Sequence, residues 1–388
     1  MKLLRSLAAL LCLMQLAIVP AAQGAGASLP PPKPAAPGYI NIDPSLTPKW
    51  LAALGRVYAK QGRAKFLALG DSTTAAAGAG SGSRGYVGAK QLSYPDFLGR
   101  LLAAKGVPVS LDNTMGFANA TNEPLYDANV TYGSGWGNSG VGTLGGSLTL
   151  NNSSTNAFAF TPKGVVDTCT TTYLQVSTGA TFTIDVDGNV LATVNSAGST
   201  ATLTQTVNFA RGTHTINIKR NGTGTNAYIA RIDCYDSTTP AVSIYNGGTF
   251  GTTTTQQSAV NNSFDALNQV KALAPDLTII CLGINDANTS IPVATYIAQY
   301  QSIINAAKIS GDVIIVVPVP VDLANFPAIA QAARSLALTN NLPLIDLPYR
   351  FGSRSSMIAL GLSFDNFHPT APGYFDVAKM VDGLLSRL

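Results

Sequence analysis

The chain has 388 residues, enough to bury two hydrophobic cores, and only 11% of them are Asp, Glu, Lys or Arg. Twenty-four basic residues stand against 20 acidic ones, giving +4 at pH 7 with no basic stripe, which excludes an electrostatic nucleic-acid binder. Ser, Thr, Asn and Gly are abundant, so hydroxyl and amide groups more than ions wet the surface.

Residues 1–24 have the three parts of a secretory signal: Lys2 and Arg5, an apolar run over 7–19, then the small residues Ala21, Ala22 and Gly24. The run is shorter than the roughly 20 residues that span a bilayer, so a cleaved leader, a secreted or periplasmic address and no membrane span in the mature chain are expected. Cys12 lacks the preceding small residues of a lipid-attachment site. Without Lys2 and Arg5, 22 basic residues face 20 acidic ones. Residues 25–38, carrying five prolines, read as an extended linker.

From 39 to 113 the pattern predicts a helix over 46–61, a strand over 65–70, a Gly-rich loop, a helix over 94–105 and a strand over 107–111. The alternation resumes in 241–388. Helices over 264–274, 293–308 and 326–340 lead to strands over 276–282, 312–319 and 342–347, and a helix over 372–388 closes the chain. Apolar strands alternating with amphipathic helices indicate a three-layer α/β/α sandwich with a parallel, flavodoxin-like sheet. Ligands of such sheets bind beyond the carboxyl ends of the strands, and Ser72, Asn285 and Leu323 all follow strand ends.

Between these parts, over 114–240, the period changes to two. Thr181-Phe182-Thr183-Ile184-Asp185-Val186 alternates, Asp187-Gly188 signals a hairpin, and further runs cover 201–209, 214–219 and 228–235. This is the pattern of an inserted antiparallel β-sandwich, tolerable because loop-closure cost grows slowly with length. Cys169 and Cys234 both fall in it, and a disulfide between them would add roughly 3–4 kcal/mol; two free core cysteines is the alternative. Cys281 lies in an apolar run and reads as a buried thiol.

The 65–70 strand runs into Gly70-Asp71-Ser72, and near the other end stands Asp365-Asn366-Phe367-His368-Pro369. A serine hydroxyl attacks well only with a base in hydrogen-bond reach and a carboxylate orienting that base. The chain has just two histidines, and His368 follows Asp365 by three residues, a spacing that one turn closes. Donors for an oxyanion are sought at neighbouring strand ends. Asn246-Gly247-Gly248-Thr249-Phe250-Gly251 and Gly283-Ile284-Asn285-Asp286 both qualify, while Gly116, after Asn113-Thr114-Met115, competes with Gly251.

Each residue also has a structural reading. Ser72 suits a helix N-cap and His368 a loop brace. Asp286 reads as a support for the loop presenting Asn285, and His214 as a strand residue of the insertion. Gly80-Ser81-Gly82-Ser83-Arg84-Gly85 matches a dinucleotide fingerprint by letter, but it neither follows a strand directly nor opens a helix, and it reads as a mobile loop beside Ser72. Two histidines and no cysteine pairs at ligand spacing predict no metal site and no cofactor.

The four blocks around Ser72, Gly251, Asn285 and Asp365/His368 resemble, in content and order, those of the GDSL or SGNH hydrolase family. The resemblance covers roughly 64–113 and 241–388. It implies Ser72 as nucleophile, His368 as general base and Asp365 as orienting acid. The Ser72 and Gly251 backbone N–H groups and the Asn285 amide would be oxyanion donors. It further implies an esterase acting on acyl groups of polysaccharides, lipids or thioesters. With export and a β-rich insertion, an acetylated polysaccharide is the expected partner. A transferase using the same serine and a non-catalytic glycan-binding surface protein remain open, and the oligomeric state is not legible.

Overall fold

The computed structural model describes residues 38–116, 123–151, 156–222 and 225–388, so the expected leader and most of the linker lie outside the described residues. The described residues group as one compact unit. Its central sheet uses seven strands: β1 (Tyr39–Ile40), β2 (Ala64–Gly70), β3 (Val109–Ser110), β4 (Val242–Gly248), β5 (Leu277–Cys281), β6 (Asp312–Val317) and β7 (Leu344–Asp346). They lie in the order β1-β7-β6-β5-β2-β4-β3, all neighbours parallel except the β1–β7 edge pair.

Strands β4, β5 and β6 are buried at every position, and β2 at every position but Lys65. Covering both faces of such apolar strands requires helices above and below, at roughly 1.5–3 kcal/mol per buried Leu, Ile or Val. These are α1 (Pro48–Tyr58), α2 (Tyr94–Ala104), α3 (Ala266–Leu273), α4 (Val293–Ser310), α5 (Phe326–Thr339) and α6 (Ala371–Leu385). Local sequence sets their starts. Pro48 opens α1, the Ser93 hydroxyl accepts the Asp96 N–H at 3.3 Å to cap α2, and Thr370 caps α6 through Gly373 N–H at 3.4 Å. The result is the α/β/α sandwich expected, with element ends shifted by a few residues.

The insertion forms two antiparallel sheets. One has the order 189–195, 181–186, 216–220, 157–160, 130–132; the other 201–212, 166–175, 227–235, 146–151, 136–143, with Asn113–Met115 also pairing 227–235. Their facing sides enclose a second core that includes Phe158, Phe160, Phe182 and Ile218. The hairpin signal at Asp187-Gly188 is answered by the strand 189–195, while strands over 130–132, 136–143, 146–151, 157–160 and 166–175 were not read from the sequence, several of them being short or rich in Thr and Gly. Asp187 and Gly188 have φ of 52° and 89°, the positive pair that a two-residue hairpin demands. Cys169 and Cys234 are direct cross-strand partners, bonded, with Cα atoms 4.1 Å apart.

His214 is not a strand residue. It precedes the Ile216–Arg220 strand, with Nδ1 2.7 Å from Asp187 Oδ2 and Nε2 2.8 Å from the Ala210 carbonyl. Its imidazole braces the hairpin turn, a role that needs a two-sided hydrogen-bonding group rather than β propensity. Trp136 is 9% exposed, stacks near Phe158 and donates Nε1–H to the Asn156 carbonyl at 2.7 Å, so it belongs to the insertion core.

The insertion is keyed to the central sheet. Leu144, in the turn of the 136–151 hairpin, is buried in the main core, and a Cβ on Gly247 of β4 would meet it at 2.9 Å. Tyr126 donates its hydroxyl proton to the Ala75 carbonyl at 2.9 Å, just beyond Ser72.

Candidate active site

The carboxyl ends of β2, β4 and β5 are level: Gly70 pairs with Gly248 on one side and Cys281 on the other. Strand order reverses at β2, which makes the edge above it the crevice where open α/β sheets bind ligands. All the expected site residues come from loops leaving this edge or from the segment before α6.

At Gly70 the chain turns at once into a short helix, Ser72–Ala75. A side chain at Gly70 would collide with Thr74 and stand 2.7 Å from the Cys281 carbonyl, so the turn needs glycine. Asp71 caps the helix, accepting from the Thr73 N–H at 2.8 Å and the Thr73 hydroxyl at 2.7 Å. Burial nevertheless pushes its carboxyl up to about 6. The N-cap is therefore Asp71, and Ser72 stands one residue inside with its hydroxyl aimed elsewhere.

That hydroxyl, Ser72 Oγ, lies 2.9 Å from His368 Nε2. His368 Nδ1 lies 2.8 Å from Asp365 Oδ2 and 3.0 Å from Oδ1. A carboxylate accepts only, so Nδ1 carries the proton and Nε2 presents its lone pair to Ser72. The Asp365 carboxylate also accepts the backbone N–H groups of Phe367 and His368, both at 2.8 Å. Partial burial works against its charge, but the His368 ring and these N–H bonds outweigh that and hold it at about 2. The loop is closed by the Phe364 N–H donating to the His368 carbonyl at 2.8 Å.

Asn285 stands on the short helix Ile284–Asn288, after Gly283 with φ 139°, where a Cβ would press on Ile329 at 2.8 Å. Its amide donates to the Thr252 carbonyl at 2.9 Å. Next to it, buried Asp286 accepts from Thr254 N–H at 3.1 Å and Thr254 Oγ1 at 2.6 Å. These two bonds tie the β5 loop to the loop after β4, which holds Gly251 in left-handed backbone at φ 68°. Gly116, the competing position, donates its N–H to the Ala230 carbonyl at 3.1 Å.

Ser72, Gly251, Asn285 and His368 line one cleft of about 180 Å³, walled by the apolar groups of Tyr86, Phe250, Ile284 and Phe367. The rings of Tyr86 and Phe250 meet edge-on at 4.7 Å. A larger hollow of about 290 Å³, lined by Arg63, Tyr235 and Asp236, has serines and carboxylates in its wall but no histidine to serve as base. The aromatic wall escaped sequence reading because an isolated ring in a loop has no periodicity to mark it.

Residues 209–374 match the model of the GDSL-like Lipase/Acylhydrolase family. The chain carries a GDSL/SGNH hydrolase domain. It is a carboxylic ester hydrolase, with acyl esters as the class of bond cleaved. The match takes in Gly251, Asn285, Asp365 and His368, while Ser72 precedes it across the insertion. No curated protein sequence matched the chain at a significant level.

Among solved structures, the hydrolase is similar to a peptidoglycan O-acetylesterase at 19% identity over 90% of this chain and 98% of that one, with a TM-score of 0.64. That likeness is one of fold. A family two carbohydrate esterase from Clostridium thermocellum, in complex with cellohexaose, aligns at 11% identity over 71% of this chain and all of its own, TM-score 0.33. Axe2, an acetylxylan esterase from Geobacillus stearothermophilus, aligns at 18% over 37% and 71%, TM-score 0.31.

Among the described residues no group of three or more His, Cys, Asp or Glu gathers as a metal site. No helix among them is long and apolar enough to cross a membrane.

Proposed function

We propose that this ester hydrolase is exported, residues 1–24 serving as leader, and removes acetyl groups from a polysaccharide using Ser72, His368 and Asp365. The observation carrying the reading is the continuous chain from Ser72 Oγ through His368 to Asp365, at 2.9 and 2.8 Å. His368 Nε2 takes the Ser72 proton as Oγ attacks the ester carbonyl. Negative charge develops on the carbonyl oxygen, facing the Ser72 and Gly251 N–H groups and the Asn285 amide. His368 then protonates the leaving sugar hydroxyl, and a water, deprotonated by His368, attacks the acyl-serine to release the acid and restore Ser72.

A short acyl group suits the cleft, since about 180 Å³ is below the roughly 300–1,000 Å³ of drug-sized sites. The peptidoglycan O-acetylesterase of like fold makes an acetylated glycan the substrate class to test. The inserted 114–240 segment we assign to the rim of this cleft, because Tyr126 and Leu144 reach the central domain while Trp136 is in its own core. Acetate release from 4-nitrophenyl acetate and from O-acetylated glycans, compared between the native protein and Ser72→Ala, tests the assignment. Loss of turnover with an unchanged circular dichroism spectrum is expected; full activity in the variant refutes it.

A further inference from the structure

Beside the Ser72 cleft runs a second groove of about 330 Å³, and Tyr86 lines both. Its walls are Ser81, Gly82, Ser83, Arg84, Val87 and Leu125, the last two exposed apolar side chains at 41% and 51%. The segment carrying it is cross-tied by its own backbone. Gly80 N–H donates to the Gly85 carbonyl at 2.9 Å, Ser81 and Val87 bridge as antiparallel partners, and any side chain at Gly85 would collide with Gly78.

Arg84 is exposed on this segment. Arg56, Arg63, Arg211, Arg334, Arg350 and Arg354 each hold an aspartate at 2.7–3.2 Å. The Arg84 guanidinium, by contrast, has no hydrogen bond or ion pair among the described residues. A guanidinium presents donors in a planar fork that matches a carboxylate bidentately. With sparse charge elsewhere, a cation held unpaired one groove away from the nucleophile is placed to select a substrate.

We propose that Arg84 binds a carboxylate on the glycan beside the acylated sugar, with the chain crossing Tyr86 from one groove to the other, so that the enzyme prefers acidic acetylated glycans. This rests on the esterase reading above. A uronic ring and a lactyl ether on a muramic sugar both supply such a carboxylate, and the experiment separates them.

Acetate release is measured for the full-length protein and for Arg84→Gln on two pairs of substrates. The first is an O-acetylated oligogalacturonide and its carboxamide; the second is 6-O-acetyl-N-acetylmuramic acid and its lactyl carboxamide. 4-Nitrophenyl acetate reports turnover as such. In one pair, the native protein is expected to favour the acid in kcat/KM by about tenfold, the order of one charge-assisted hydrogen bond, and Arg84→Gln to erase the preference. Arg84→Lys should keep part of it, and added salt should shrink it. The pair that responds names the source of the carboxylate. Equal acid-to-amide ratios in native and variant protein, or aryl ester turnover without turnover of either pair, overturn the proposal alone. No turnover of 4-nitrophenyl acetate or of any glycan would sink the esterase reading with it.

Discussion

The side-chain amide of Asn285 donates a hydrogen bond to the carbonyl of Thr252 at 2.9 Å, joining the loop after β5 to the loop after β4. This bond fixes the amide plane, so that under the proposed mechanism the second N–H would need no reorganisation to meet a developing oxyanion. Asn285→Ala should lower kcat by about 10²–10³ with KM for a small acetyl ester little changed. Steady-state kinetics check this; an equal rise in KM at constant kcat would instead mark Asn285 as a ground-state binder.

Asp365 orients the Nδ1–H tautomer of His368, and its charge is held far into the acid range by that ring and two backbone N–H groups. Asp365→Asn should leave the fold intact and lower kcat by about 10³–10⁴, as loss of an orienting carboxylate does elsewhere. Asp365 adds no limb of its own to the pH profile of activity above about pH 3, because its pKa is about 2. An Asp365→Asn variant with native kcat would leave the loop carboxylate a purely structural part.

Asp71 is fully buried, and its Oδ2 has no hydrogen-bond partner among the described residues. Burial raises it from 3.8 to about 6, so the folded protein holds the proton more tightly than the unfolded chain. The penalty for its charge is therefore full above about pH 6 and fades as pH falls toward 3.8. Relative to Asp71→Asn, the native protein should gain melting temperature between pH 7.5 and 5. Parallel melting curves across that range would show that Asp71 does not titrate there.

Gly248 ends β4 beside Gly70, and a Cβ on it would collide with the backbone of Ala75 in the Ser72 helix. Backbone cannot step aside as a side-chain tip can. Gly248→Ala should destabilise the protein by about 1–3 kcal/mol and reduce esterase activity together, through displacement of Ser72. Thermal denaturation and kinetics on the same sample check both, and a variant as stable and active as the native protein refutes the packing.

The Cys169–Cys234 pair bridges neighbouring strands deep in the insertion core, 65 residues apart in sequence. The double variant Cys169→Ala, Cys234→Ala should lose roughly 3–4 kcal/mol of stability. Its activity per folded molecule should persist at 25 °C, because neither cysteine lines the cleft. Chemical denaturation with parallel assays measures each part.

The alternating α/β framework was legible from residue order alone, because β2, β5 and β6 are apolar runs of strand length and the helices between them are amphipathic over several turns. Residue order also marked Ser72, Asn285, Asp365 and His368, whose block order survives the long insertion. Folding, not local pattern, engages the Gly116 N–H with the distant Ala230 carbonyl, which favours Gly251 as donor in the proposed mechanism. The same holds for His214, drawn out of its strand by Asp187, and for Trp136, claimed by the insertion core. Local pattern records a residue's own backbone preference, whereas these outcomes depend on partners brought close by folding. The cleft is the extreme case: nearly 300 residues separate Ser72 from His368, and no local propensity can express a 2.9 Å contact across them.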